Sequence, residues 1–380
     1  MSLDAAEVTL FRDNLTKFLE NEVEPDYEQW EKAGKWPRKL WNKLGENGFL
    51  CVDMPSEHGG YDAPFELSCV VVEEIARAGY GALASAVSVH SDIVSRYILN
   101  LGNEHQKKRW LPGMVSGEVV GAIGMTEPSA GSDLQGMLSS AVRDGDEYVI
   151  NGQKTFITNG QHSDVIVLAA KSDPSQGAKG MTLFTVDCTL PGYEKGQNLD
   201  KMGQHSADTS EIFMSDLRVS TEDVLGGEGR GFANLMNELR RERIICSVAS
   251  VGAAEGMLAW TIDYVTERKA FGQPIAKFQN TRFELASIKT EIELNKALVE
   301  KYTAKFVSGE LTAEEASIAK LATSEMHCNV ADKCVQLFGG YGYMREYKIS
   351  RAYVDARIQR IYAGTSEIMK EVISRSLVGR

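Results

Sequence analysis

No proline follows Pro274, and beyond it Leu285, Ile288, Ile292, Asn295, Val299, Tyr302 and Phe306 recur at alternating three- and four-residue spacing. That spacing returns each side chain to one face of an α-helix, so the run predicts one long amphipathic helix. Upstream, the small-residue segment Ser247 to Gly256, followed by Met257, Leu258 and Trp260, predicts a second helix that packs closely against its neighbours. The start of the chain is also helical in pattern. Ala5 to Glu22, Arg38 to Asn47, Phe65 to Ala78 and Ala82 to Leu99 carry apolar residues at helix period between Gly and Pro turns. The middle changes character: Asp144-Gly145-Asp146 and Asn151-Gly152 read as hairpin turns flanking EYVI, and KTFIT, VIVLAA and MTLFTV follow as short strand-like runs. Helices, then strands, then long helices disfavour a doubly wound α/β fold and favour α+β domains that share interfaces. The expected division is a helical domain over residues 1–120, an antiparallel β domain over 121–227 and a helical-bundle domain over 228–380.

A chain of 380 residues, 43% hydrophobic and 25% charged, is long enough to bury the two or three cores that this division needs. Its formal net charge of -12 argues against nucleic acid or an anionic membrane as the main partner, because phosphate binding needs a positive field. Local basic patches can still hold one phosphorylated ligand. The opening MSLDAAEVTLFRDNL has acids where a signal peptide has a basic region and an apolar run. No stretch stands out as membrane-spanning, so a cytoplasmic protein is expected. Cys51, Cys69, Cys188, Cys246, Cys328 and Cys334 form no CxxC pair, and the histidines are far apart. Neither a disulfide framework nor a metal site is signalled.

Generic motifs identify no activity. Gly226-Gly227-Glu228-Gly229-Arg230-Gly231 lacks GxGxxG spacing and a parallel βαβ context, and reads as a loop leading into a helix at Phe232. No Walker A sequence and no GxSxG elbow occur, which turns the reading away from phosphoryl and acyl transfer. Met125-Thr126-Glu127-Pro128-Ser129-Ala130-Gly131-Ser132-Asp133-Leu134 is either a plain turn or a loop that brings backbone N–H groups to a polar ligand. Four segments accompany it in order: Phe156-Ile157-Thr158-Asn159-Gly160, Glu267-Arg268-Lys269-Ala270-Phe271-Gly272, Gln336-Leu337-Phe338-Gly339-Gly340-Tyr341-Gly342 and Tyr362-Ala363-Gly364-Thr365-Ser366-Glu367-Ile368. Together the five resemble the acyl-CoA dehydrogenase family over nearly the whole chain.

The resemblance implies an α+β fold with an N-terminal helical domain, a middle antiparallel β domain and a C-terminal four-helix domain. It implies FAD bound between the domains and across a subunit contact, a homotetramer, and electron-transfer flavoprotein as electron acceptor. The implied reaction removes hydrogens from Cα and Cβ of an acyl-CoA thioester. It needs a base for the α proton, a hydride acceptor, which is flavin N5, and donors for the charge that develops on the thioester oxygen. In the family those donors are a backbone N–H and a ribityl hydroxyl of FAD.

Many relatives carry the base as a glutamate just before Gly-Thr of the last motif, where this chain has Ala363. Long-chain and isovaleryl-type members place it on a helix in a Glu-Arg pair, which Leu239-Arg240-Arg241-Glu242-Arg243-Ile244-Ile245 resembles, so Glu242 is the expected base. Without the resemblance, Glu242 reads as a solvated acid compensating its arginines. Arginines lower a carboxyl pKa and an apolar pocket raises it; the residues alone do not choose between them. Glu367 is the rival carboxylate. Arg243 is expected near substrate or Glu242, or in a structural ion pair, and a backbone N–H of Ala363 or Gly364 is expected at the thioester oxygen.

For FAD, the resemblance assigns Met125, Thr126 and Ser132 from the loop, Phe156 and Thr158 from the strand, and Thr365 and Glu367 from the last motif. Arg268, Gln279, Gln336, Gly339 and Gly340 match positions that hold FAD across the subunit contact, and Ser132 is also expected to touch substrate. Phe156 keeps an aromatic face where many relatives have tryptophan. Ser129 stands where the family loop commonly has glycine, so a left-handed backbone there would be strained. Arg351-Ala352-Tyr353-Val354-Asp355-Ala356-Arg357 is most like the long-chain members. The expected substrate is a medium- or long-chain acyl-CoA, with a branched short-chain acyl-CoA, an oxidase, or a non-catalytic flavin or acyl-CoA binding protein as alternatives.

Overall fold

The computed structural model describes residues 5–379. Residues 1–4 and 380, at the ends of the first and third expected domains, lie outside the described residues, as does the start of the segment read for a leader.

The first helices are α1 (Ala5–Phe18), α2 (Tyr27–Ala33), α3 (Lys39–Glu46), α4 (Phe65–Arg77), α5 (Gly81–Ser88), α6 (Ser95–Leu101) and α7 (Glu104–Ser116). α2 and α7 add to the expected set. α2 is too short to show a period, and Pro112 interrupts the pattern of α7, although an Asn103–Gln106 capping box opens it. The expected helix from Ala82 to Leu99 is α5 and α6 joined by a π-helical turn over Val89–Val94. Such a turn carries an extra residue and is frequent at functional sites. Inside it His90 is buried, accepting from Gly121 N–H at Nδ1 (3.1 Å), so its Nε2–H donates to the Met114 carbonyl (2.9 Å).

The sheet contains β1 (Gly121–Gly124), β2 (Ser140–Asp144), β3 (Glu147–Thr158), β4 (Val165–Lys171), β5 (Met181–Asp187), β6 (Tyr193–Asn198), β7 (Thr209–Ser220) and β8 (Val224–Leu225). The order is β6-β7-β3-β2-β4-β5-β8, with β1 also on β4. Most ladders are antiparallel, as expected. β1 and β4 run parallel, and β2 meets β4 in one parallel pair, Ser140 with Lys171. Gly145, with φ 64°, makes the expected tight turn between β2 and β3.

Asn151-Gly152 is not a turn. It lies within β3, so EYVI and KTFIT belong to one strand. Gly152 sits at a register shift with φ 150°, where a Cβ would come 2.3 Å from Ser139 Oγ. The Asn151 amide oxygen accepts from Asp216 N–H (2.8 Å) across the ladder. The glycine serves a bulge and a close approach, the usual meaning of glycine inside a strand.

The chain then forms α8 (Gly231–Glu267), α9 (Gln279–Val307), α10 (Ala313–Phe338), α11 (Lys348–Ala356) and α12 (Ser366–Val378). α9 is the expected long amphipathic helix, burying Ile288, Ile292, Val299 and Tyr302. α8 contains the small-residue segment and packs on α4. A Cβ at Gly252 would lie 2.5 Å from the Glu73 carbonyl oxygen, and one at Gly256 2.1 Å from that of Arg77. By length and composition α8 could also cross a membrane, which corrects the expectation that no stretch has that character. Within its apolar window 72% is buried in the protein, as in a core helix. One apolar core joins the first and last helices through Ile75, Leu83, Ile244, Met257, Ile292 and Ala319. A second lies between α6, α7 and the sheet, through Tyr97, Leu111, Val167 and Leu183. Burying each such aliphatic side chain contributes roughly 1.5–3 kcal/mol.

Candidate active site

Three charged neighbours on α8 face different partners. Arg241 reaches Asp53 Oδ2 and Asp92 Oδ1, each at 2.8 Å, with its guanidinium 4.4 Å from the Phe65 ring centre. All three charged groups are nearly out of solvent. The ion pairs tie α8 to the loop after α3 and to the π-helical turn. Arg243 turns toward α10, donating from Nη1 to Ser317 Oγ (3.0 Å).

Glu242 lies between them and is 3% exposed, so it is not a solvated surface acid. Its Oε1 accepts from the Tyr97 hydroxyl of α6 (2.9 Å). Burial pushes its carboxyl up to about 7, against the Tyr97 hydrogen bond and the charge of Arg243, while Glu238 adds to the rise. In the contest left open by the sequence, desolvation wins.

Arg243 Nη2 is 3.8 Å from the place a Cβ on Gly364 would occupy, which brings the 363–364 loop beside the Glu-Arg pair. Ala363 and Gly364 are both left-handed, φ 52° and 95°. For alanine that conformation is strained, and strain of this kind clusters at functional sites. Lys320 of α10, 1% exposed, donates to the Gly364 carbonyl (2.7 Å) and holds the loop in place. Glu367 stands apart in character. It is exposed in the first turn of α12, and its carboxyl is held below the usual range by its own backbone N–H and Thr365. Thr365 caps that helix, accepting from Ile368 N–H (3.2 Å). Both are helix-end groups here.

The residues assigned to the cofactor form two sets. In the first, the Met125–Leu134 loop docks on β3. Thr155 N–H donates to the Thr126 carbonyl (2.9 Å), and Lys154 Nζ reaches the Met125 carbonyl (3.3 Å) and Glu127 Oε1 (2.7 Å). This places Met125 and Thr126 against the strand that ends in Phe156 and Thr158. Phe156 is left-handed (φ 60°) and 67% exposed, its ring free to face a ligand. Ser132 lies on the exposed side of the loop. Ser129 does not take a left-handed backbone, so it carries no strain of that kind. Pro128 and Ser129 form the tip between Glu127 and Ala130, whose backbones bond each other in both directions.

The second set is on the helical bundle. Arg268, Gly339 and Gly340 line one hollow of about 500 Å³ with Tyr264, Phe338 and Tyr341. A Cβ at either glycine would meet nothing within 4 Å, so the backbone there is open to close approach. Arg268 lies 5.2 Å from the Tyr341 ring centre. Gln279 opens α9 and Gln336 is in the last turn of α10, both exposed. A second hollow, of about 310 Å³ between Pro128, Gly152 and Phe213, contains none of the assigned residues.

The acyl-CoA dehydrogenase N-terminal, middle and C-terminal domains match residues 5–118, 122–217 and 229–378. The chain belongs to the acyl-CoA dehydrogenase family. It is 43% identical to the mitochondrial long-chain specific acyl-CoA dehydrogenase of Sus scrofa over 376 residues, 98% of this chain and 87% of that one. It is 32% identical to the mitochondrial isovaleryl-CoA dehydrogenase of Arabidopsis thaliana, over 97% of this chain and 90% of that one. Among solved structures, an acyl-CoA dehydrogenase from Geobacillus kaustophilus superposes with a TM-score of 0.96 at 45% identity, covering 99% of both chains.

The dehydrogenase is thus a flavin oxidoreductase, and its cofactor is FAD. The two sets suit that dinucleotide: an open glycine backbone beside an arginine for phosphate, and an exposed aromatic face near the end of β3 for a flat ring. Two groups in the dehydrogenase site were missed in the sequence, Tyr97 and Lys320. Lys320 had a signal, since Ala316, Ala319, Thr323 and His327 share its helix face and are buried with it. Tyr97 had none, because a tyrosine in an apolar helix is ordinarily core.

Proposed function

We propose that this dehydrogenase converts a medium- or long-chain acyl-CoA to the trans-2-enoyl-CoA, a step of fatty acid β-oxidation, and passes the electrons to electron-transfer flavoprotein. The observation that carries the reading is Glu242, a carboxyl withdrawn from solvent and raised to about 7 in a chain whose position 363 is alanine. A base poised near the working pH combines a useful charged fraction with enough basicity to pull the α proton. In this reading the Glu242 carboxylate takes that proton, and the α C–H electron pair becomes the new double bond. Bound FAD supplies the acceptor for the β hydrogen and its electron pair. Charge on the thioester oxygen is met by a backbone N–H of Ala363 or Gly364, on the loop that Lys320 holds through the Gly364 carbonyl.

Higher identity to the long-chain enzyme than to the isovaleryl enzyme supports a straight, longer acyl chain. A branched short-chain acyl-CoA is the competing substrate, because the helical base is shared by both types. Assembly as a homotetramer belongs to the same reading. Phe271 and Tyr343, 95% and 83% exposed in the segments that follow Arg268 and Gly340, are apolar surface that a neighbouring subunit would cover.

The test is anaerobic titration of wild-type and Glu242→Gln protein with acyl-CoAs from isovaleryl- and butyryl- to palmitoyl-CoA, following flavin absorbance. Bleaching by the longer chains, lost in the variant, is the expected result. Bleaching by isovaleryl-CoA alone would transfer the protein to the branched-chain reading, and an unimpaired variant would remove Glu242 as base.

A further inference from the structure

Tyr97 and Glu242 come from segments 145 residues apart and meet inside the protein, the hydroxyl donating to Oε1 at 2.9 Å. Tyr97 is fully buried and Glu242 nearly so. The charged groups that act on Glu242 among the described residues come from its own helix, Arg243 and Glu238, and Glu242 in turn raises the Cys246 thiol one turn on. Arg241 is turned away into Asp53 and Asp92, and Lys320 of α10 acts on Cys246 and Arg243. Among the described residues, Tyr97 is the one side chain that donates a hydrogen bond to Glu242, and it bonds only one of the two carboxylate oxygens.

We infer that Tyr97 is a positioning residue for the base, pinning one oxygen of Glu242 through a neutral donor and leaving the other to receive the proton. The inference rests on Glu242 being the base. A glutamate has three rotatable side-chain bonds, whereas a buried tyrosine has two and offers its hydroxyl at a fixed place. The neutrality of the donor matters as much as its position. A bonded cation would lower the carboxyl pKa by about 1–3 units and spend much of its basicity, whereas a hydroxyl stabilises the carboxylate more gently. Burial and the charge of Glu242 push the Tyr97 hydroxyl well above its ordinary pKa, so it remains a donor across the working range.

The experiment compares wild-type and Tyr97→Phe holoenzyme by infrared titration of the buried carboxyl C=O band, assigned by its loss in Glu242→Gln. The rate of anaerobic flavin reduction by lauroyl-CoA is followed over the same pH range. With the hydroxyl gone, the band midpoint moves up by about one pH unit. Reduction slows roughly tenfold below the midpoint, with a smaller effect well above it. An unmoved midpoint in folded, flavin-loaded Tyr97→Phe overturns the inference. Should that variant not fold, difluorotyrosine at position 97 keeps the ring and strengthens the donor; the midpoint must then fall, and one that stays put overturns the inference equally. Failure of the base reading looks different: Glu242→Gln would reduce at the wild-type rate while Tyr97→Phe still moved the band.

Discussion

Lys154 sets its ammonium 2.7 Å from a carboxylate oxygen of Glu127, and neither side chain is more than 3% exposed. The same ammonium reaches the Met125 carbonyl, while the Glu127 carboxylate accepts from the backbone N–H groups of Leu138 and Ser139 (3.1 Å for Ser139). One buried ion pair therefore fixes the start of the Met125–Leu134 loop and ties it to the segment just after it, at Leu138 and Ser139.

Breaking that pair from one side should be costly. Lys154→Met leaves Glu127 charged and unpaired away from water, and the expected loss is about 3–5 kcal/mol of stability. The loop that carries Met125 and Thr126 would loosen with it. Differential scanning calorimetry should show the lower midpoint, and the purified variant should hold substoichiometric FAD. The double variant Glu127→Gln with Lys154→Met, which removes both charges, should recover much of the stability.

The raised carboxyl of Glu242 sets the sign of two pH effects. The base must be ionised, so flavin reduction by substrate should rise with pH through a midpoint near 7. The stability effect runs the other way. A carboxyl whose folded pKa lies above its unfolded value binds more protons in the native state, so stability falls as pH rises from the unfolded pKa to the folded one. Glu242→Gln escapes this loss. Its advantage over wild type in urea unfolding should be small at the acidic end, grow between about 4.5 and about 7, and level off at up to about 3 kcal/mol. An advantage independent of pH would contradict the raised pKa.

Gly256 lets α8 lie directly on the backbone of α4. A methyl group there would come 2.1 Å from the Arg77 carbonyl oxygen, which is backbone and cannot swing aside. Gly256→Ala should therefore separate the helices and destabilise the protein by about 1–3 kcal/mol, although alanine is the better helix former. Thermal unfolding monitored by circular dichroism would decide it; a gain in stability would mean that the helices part without cost.

What could be read from the chain follows the range of the forces involved. α9 was legible because its seven periodic side chains are local, and the packing of α8 because small residues at successive turns have one common use. Asn151-Gly152 misled because that dipeptide is a strong local turn signal, and the reason for the glycine, the nearby Ser139, is distant in the chain. The parallel pairing of β1 with β4 is equally invisible to a local pattern. Glu242 stood out through a resemblance and the alanine at 363. Its protonation depended on burial, which only the folded packing determines; Tyr97 is an ordinary helix residue, and the face that buries Lys320 does not say what the lysine holds, until α6, α8, α10 and the 363–364 loop converge.

Lys320 offers the sharpest check on that convergence. Burial brings its ammonium down to about 8, against the opposing influence of Cys246, and it donates to the carbonyl of Gly364. Holding a desolvated cation there is unfavourable, and what it secures is the orientation of a loop whose two residues, Ala363 and Gly364, both sit in left-handed backbone. If a backbone N–H of that loop stabilises the thioester oxygen, displacement by a fraction of an ångström weakens a contact made most strongly in the transition state. Loss of a whole donor of this kind costs about 100–1,000-fold in rate, so misplacing one should cost about 10–100-fold. Lys320→Met should therefore slow flavin reduction by that factor in single-turnover stopped flow, while the acyl-CoA concentration for half-maximal rate changes much less. Equal losses in affinity and rate would indicate that the lysine shapes the binding pocket, and an unchanged rate would show that the loop keeps its geometry without it.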